Sequence, residues 1–106
     1  MRFVNCKNET YDGEFLFFCP GCGCCHYVNT KPDMGPVWAF NGDLNNPTVS
    51  PSLLVTMPNR TTIGVNDICH SFIKEGKIQY LSDCTHHLAG QTIDLPNIEE
   101  GGSYER

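Results

Sequence analysis

The stretch that most constrains this chain is Cys19-Pro20-Gly21-Cys22-Gly23-Cys24-Cys25-His26. It holds four of the seven cysteines and one of the four histidines. Pro and Gly between the thiols of a Cys-x-x-Cys let the backbone turn tightly, so that successive sulfurs point at one centre, as in a metal knuckle. The apolar run Phe15-Leu16-Phe17-Phe18 leads straight into it and reads as a buried strand. The second half of the chain answers with Cys69-His70 and Cys84-Thr85-His86-His87. A fold closed by a metal between the two halves is therefore expected.

Zinc takes about four ligands in a tetrahedron, and structural sites draw them from Cys and His. Cys19 and Cys22 supply the first pair. On a strand, Cys69 and His70 point to opposite faces, so only one of them serves a given site. Cys84 is expected at the start of a short helix, where the dipole favours a thiolate. The expected Zn2+ ligands are thus Cys19, Cys22, Cys69 and Cys84. Cys24, His26, His70 and His86 remain, as core or surface residues, as groups supporting that metal, as a second His-rich site, or mixed with the first set in one site. The choices between Cys69 and His70 and between Cys84 and His86 thus stay open. Three histidines, His26, His70 and His86, around an open position would make a catalytic zinc, with Asp83 as a base or supporting group. The simpler role of Asp83 is a helix cap. Cys6 and His87 read as ordinary residues.

Other uses of the thiols fit less well. The N-terminal Met1–Lys7 lacks an apolar signal region, so a bacterial cytoplasmic location is expected, where disulfides are rare. Seven cysteines would also leave one unpaired. A thioredoxin-type motif wants its first thiol at a helix N-terminus, and residues 23–28 carry no helical pattern. A zinc deaminase needs His-x-Glu, and no histidine here has Glu two residues on. The net charge of −5, with only seven Lys plus Arg, argues against nucleic-acid binding. No apolar run approaches the ~20 residues that span a bilayer.

The rest of the chain punctuates as strands and turns. At 106 residues it is one domain, with a tail expected to fray from about residue 97. Strands are expected near 2–6, 14–18, 26–30, 37–40, 48–56 and 91–95, with turns at 8–13, 31–36 and 45–47. Pro51 in the 48–56 stretch demands a sheet edge or a bulge. Residues 68–81 form a β-hairpin around Lys74-Glu75-Gly76-Lys77. Ser82-Asp83 is expected to cap one short helix over 84–89 that stops at Gly90. The fold class is mainly β: a small antiparallel sheet or sandwich with a zinc knuckle and one short helix.

Five segments resemble, in order, a family of small bacterial and phage proteins that often carry an "ammonia monooxygenase" label. They are residues 18–23 (Phe-Cys-Pro-Gly-Cys-Gly), 37–42 (Val-Trp-Ala-Phe-Asn-Gly), 47–52 (Pro-Thr-Val-Ser-Pro-Ser), 69–72 (Cys-His-Ser-Phe) and 81–91 (Leu-Ser-Asp-Cys-Thr-His-His-Leu-Ala-Gly-Gln). Distant relatives are similar to presumed zinc-binding proteins found beside bacterial ubiquitin-like conjugation genes. An acidic chain of this size does not fit an integral membrane copper enzyme. The resemblance implies a metal-binding protein of phage or bacterial conflict context. With closed Cys sites usually structural, the expected function is a non-catalytic interaction module that binds a host or phage protein. The alternative is a small metalloenzyme with a His-rich open site.

Overall fold

In the computed structural model, residues 1–5, 15–31, 37–59 and 63–98 are described. Cys6, the turn expected at 8–13, most of the loop at 31–36 and the tail from 99 lie outside them. The described residues form eight strands in two antiparallel sheets. The first sheet joins β1 (Val4–Asn5), β2 (Phe15–Cys19) and β3 (Cys24–Val28) in the order β1-β2-β3. The second runs β4-β5-β6-β7-β8, through Ala39–Phe40, Val49–Pro58, Asn66–Lys74, Lys77–Tyr80 and Thr92–Asp94.

Strand alternation places the core between the sheets. Phe15, Phe17, Cys19 and Val28 of the small sheet meet Val49, Leu53, Cys69, Ile73, Ile78 and Tyr80 of the large one. Leu16, on the opposite face of β2, is buried with Val4 and Ile98, against which Phe18 also packs. Being covered on both faces explains why the Phe15–Phe18 run is apolar without alternating. The mainly β fold class and the 68–81 hairpin are as expected.

Pro51 does fall in an irregularity. Val49 pairs with Ile73 and Leu53 with Ser71, so residues 50–52 of β5 stand opposite the single Phe72 of β6. This bulge, which includes a cis Ser50–Pro51 bond, bends the strand and re-aims the side chains within it.

The expected helix over 84–89 is absent, and no helix occurs among the described residues. The backbone donors that would start it are used elsewhere. The Leu81 amide donates to the His70 carbonyl and the Thr85 amide to the Ile68 carbonyl, each at 2.9 Å. Tied to β6 this way, residues 81–90 continue as turns, with short bonds such as Ala89 N–H to the His86 carbonyl at 3.2 Å.

Candidate active site and metal centre

The knuckle brings the two halves together as its spacing suggested. Cys19 ends β2, and the Gly23 amide closes the turn onto the Cys19 carbonyl at 2.8 Å, with Gly23 at a φ of 70°. That left-handed conformation is accessible to glycine at little cost. Gly21 is needed for another reason: a Cβ there would lie inside the van der Waals surface of the His86 ring. Ligand atoms from Cys19, Cys22, Cys69 and His86 all lie within 4.8 Å of one another. Among the described residues this is the one group of His, Cys, Asp and Glu side chains arranged to hold a metal ion.

The donor set fits a cation. Cys19 and Cys69 are buried, and their sulfurs stand 3.8 Å apart. Hydrogen bonds from Cys22 and then Cys69 hold the Cys19 thiol far below its ordinary range. The same bonds, together with burial, push Cys22 up to about 12 and Cys69 higher still. Three thiols this close lose their protons together only when a positive ion replaces them. The His86 Nε2 is buried with no hydrogen-bond partner, a costly state that metal ligation would relieve. Burial also lowers the His86 pKa, favouring the neutral ring that binds metals.

Tyr80 supports the group from below. Its hydroxyl lies 3.1 Å from the Cys19 sulfur and accepts from the Gly21 amide at 3.2 Å. Its ring meets the His86 ring edge-on, with centroids 4.4 Å apart.

Cys84, expected as the fourth ligand, is placed differently. Its thiol accepts from the His70 amide and donates to the His70 carbonyl, both at 3.2 Å. It thereby clamps the 81–90 segment to β6. Cys24 sits opposite Cys19 in the β2–β3 ladder and lines a cavity of about 320 Å³ with Cys22 and His86. His26 is buried edge-on to Phe17, with ring centroids 5.7 Å apart. His26, His70 and His86 therefore do not gather around one open position.

His70 belongs to a second array on the other face of β6. Its Nε2 is 3.0 Å from the Ser52 Oγ, and its Nδ1 is 3.1 Å from the Asp83 Oδ2. With the ring proton on Nδ1, His70 donates to Asp83 and accepts from the Ser52 hydroxyl. This is the hydrogen-bond chain of a Ser-His-Asp triad, which is recognised by geometry and not by sequence position. Each member has its own support. The bulge carries Ser52, and the Trp38 Nε1–H donates to the Ser52 carbonyl at 3.2 Å. Clamping by Cys84 brings Asp83 alongside His70, where its carboxylate serves the ring and not a helix end.

A family model described as "Bacterial ubiquitination-like system serine protease (BubE)" matches residues 2–81. The chain belongs to the BubE family. The ubiquitin-like side of the sequence resemblance is the part this match supports. It spans Cys19, Cys22, Ser52, Cys69 and His70, whereas Asp83 and His86 lie beyond it and join their sites by geometry alone. No curated protein and no solved structure matches the chain significantly.

Ser52 escaped the sequence reading because no nucleophile motif such as Gly-x-Ser-x-Gly surrounds it. A signal was nevertheless present. Pro51 pointed to a sheet edge or a bulge, and bulges often stand beside active sites. His70 and Asp83 were singled out, but for a metal.

Proposed function

We propose that this chain is a serine protease of the BubE type, with Ser52 as nucleophile, His70 as general base and Asp83 as the group that orients it. The observation that carries the reading is the continuous chain from the Ser52 Oγ through both ring nitrogens of His70 to the Asp83 Oδ2. As the Ser52 Oγ attacks a peptide carbonyl, its proton passes to Nε2. The imidazolium, stabilised by Asp83, returns that proton to the leaving amine. Water then attacks the acyl-enzyme, with His70 again taking the proton and passing it to the departing Ser52 Oγ, which releases the carboxylic acid product.

In this reading the Cys19, Cys22, Cys69 and His86 site holds zinc, to which three thiolates and an imidazole are suited. When bound, the ion would contribute rigidity, closing the β2–β3 turn against β6 and the segment that carries Asp83. A non-catalytic module would account for the thiol cluster but leaves the Ser52–His70–Asp83 chain without a role. The proposed setting is the bacterial cytoplasm. There the substrate would be a ubiquitin-like polypeptide, or its conjugate to a host or phage protein.

A fluorophosphonate probe tests the assignment. Intact-mass analysis should find one probe adduct per chain, mapped to Ser52. The adduct should be lost in Ser52→Ala and strongly reduced in His70→Ala. No adduct on the folded parent, or equal labelling of Ser52→Ala, would overturn it.

A further inference from the structure

A cleft adjoins the bulge that presents Ser52. There the register shifts, with residues 50–52 of β5 standing against Phe72 alone. A cleft of about 610 Å³ lies at this place, lined by Val49, Ser50, Phe72, Lys74, Gln79 and Thr92 among others. Phe72 shares the outer face of the sheet with His70, two residues away, and is 42% exposed despite its size. Ser50 is likewise two residues from Ser52. At roughly 3.3 Å per extended residue, the cleft begins about two residues from the reacting carbonyl.

Resting on the serine-protease reading, we propose that this cleft binds the substrate as an extended, uncharged polypeptide segment, with an apolar side chain seated on Phe72. The lining chemistry selects that occupant. An aromatic ring held half-exposed at the floor gains by covering itself with an apolar group. The Gln79 amide and the Thr92 hydroxyl offer donors and acceptors to a peptide backbone. Charge does little to discriminate, because Lys74 and Glu75 bring opposite charges to the lining, and Lys77 is paired with Asp94 at 2.6 Å.

The test uses internally quenched peptides that differ at one position within two residues of the cleaved bond, on either side, carrying Leu, Gly or Asp. The parent protein should cleave the Leu peptide at least about tenfold better in kcat/KM than the Gly or Asp peptide at one of these positions, the scale at which an apolar pocket discriminates. That preference should collapse toward one in Phe72→Ala and persist in Phe72→Leu, with all three proteins melting cooperatively. Equal cleavage of the three peptides by the parent would overturn the cleft assignment, as would an unchanged Leu preference in Phe72→Ala. Fluorophosphonate labelling, run in parallel, separates the two levels. A parent labelled at Ser52 but indifferent to Leu refutes the cleft alone, whereas an unlabelled parent refutes the nucleophile as well.

Discussion

Along β6, Cys69 and His70 are neighbours in sequence and opposites in environment. Cys69 is 1% exposed and points into the sulfur cluster between the sheets, whereas the His70 side chain is 26% exposed and faces Ser52 and Asp83. The segment after β7 repeats the division, sending Asp83 to the outer array and His86 to the inner one. Two short pieces of chain thus hold the buried centre and the exposed array in fixed relation. The difference teaches what each is suited to do. A buried group of thiols that could hold a metal ion is suited to keep a fold together. A half-open triad can meet a substrate.

The largest effect should come from breaking the inner face. Structural zinc contributes folding free energy on the order of 10 kcal/mol in small domains, comparable to the roughly 5–15 kcal/mol that keeps a domain folded. Cys69→Ser or Cys22→Ser should therefore yield insoluble or unfolded protein, and a strong chelator should abolish the thermal transition of the parent. A sharp melt of Cys69→Ser, with one metal equivalent retained, would remove Cys69 from the ligand set.

Breaking the outer face should leave the fold standing. Ser52→Ala should melt within a few degrees of the parent yet lose peptide hydrolysis by a factor on the order of 10⁴ or more. Asp83→Asn should lose about 10³–10⁴-fold, because the wrong tautomer of His70 is then favoured. If Ser52→Ala unfolded the protein, Ser52 would be a structural residue and the contrast between the faces would fail.

Smaller effects sharpen the contrast. Tyr80→Phe removes the hydroxyl between Cys19 and the Gly21 amide. Supporting groups of this kind typically matter by 10–100-fold in metal affinity, which competition with a chromogenic chelator would measure. The smallest change should follow Asp94→Asn, at the far edge of the sheet from either site. The Lys77 ammonium holds the Asp94 carboxylate below its ordinary value. Any stability it adds is present above the unfolded carboxylate pKa and is lost as pH falls through the lower folded value. The substitution should therefore lower the melting temperature slightly at neutral pH and not at all in strong acid. A large loss at pH 7 would show that this exposed pair does more than its geometry suggests.

These contrasts follow how the chain could be read in advance. Cys19, Cys22 and Cys69 were legible because thiol spacing is a local property, and strand alternation allowed only one of Cys69 and His70 to serve the cluster. Pro51 was legible as an edge or a bulge because a residue without an amide cannot continue the ladder. The choice between Cys84 and His86, which the sequence leaves open, goes to His86 in the assembled group. It depends on β6 capturing the Leu81 and Thr85 amides, a long-range contact that overrides a good local helix signal. Ser52 was hidden for a related reason. Serines are common, and this one acquires a partner only when β5 pairs with β6 and sets His70 beside it.

The adjacency of Cys69 and His70 also sets how this protein can tolerate change over evolutionary time. A substitution can damage one centre and spare the other. Insertion or deletion of a single residue within Asn66–Lys74 cannot, because a one-residue slip sends every side chain beyond it to the opposite face. The imidazole would then face the sulfurs and the thiol would face Ser52. Length variation among descendants of this chain should therefore collect in the turns, while the span of β6 stays constant even where most of its letters differ.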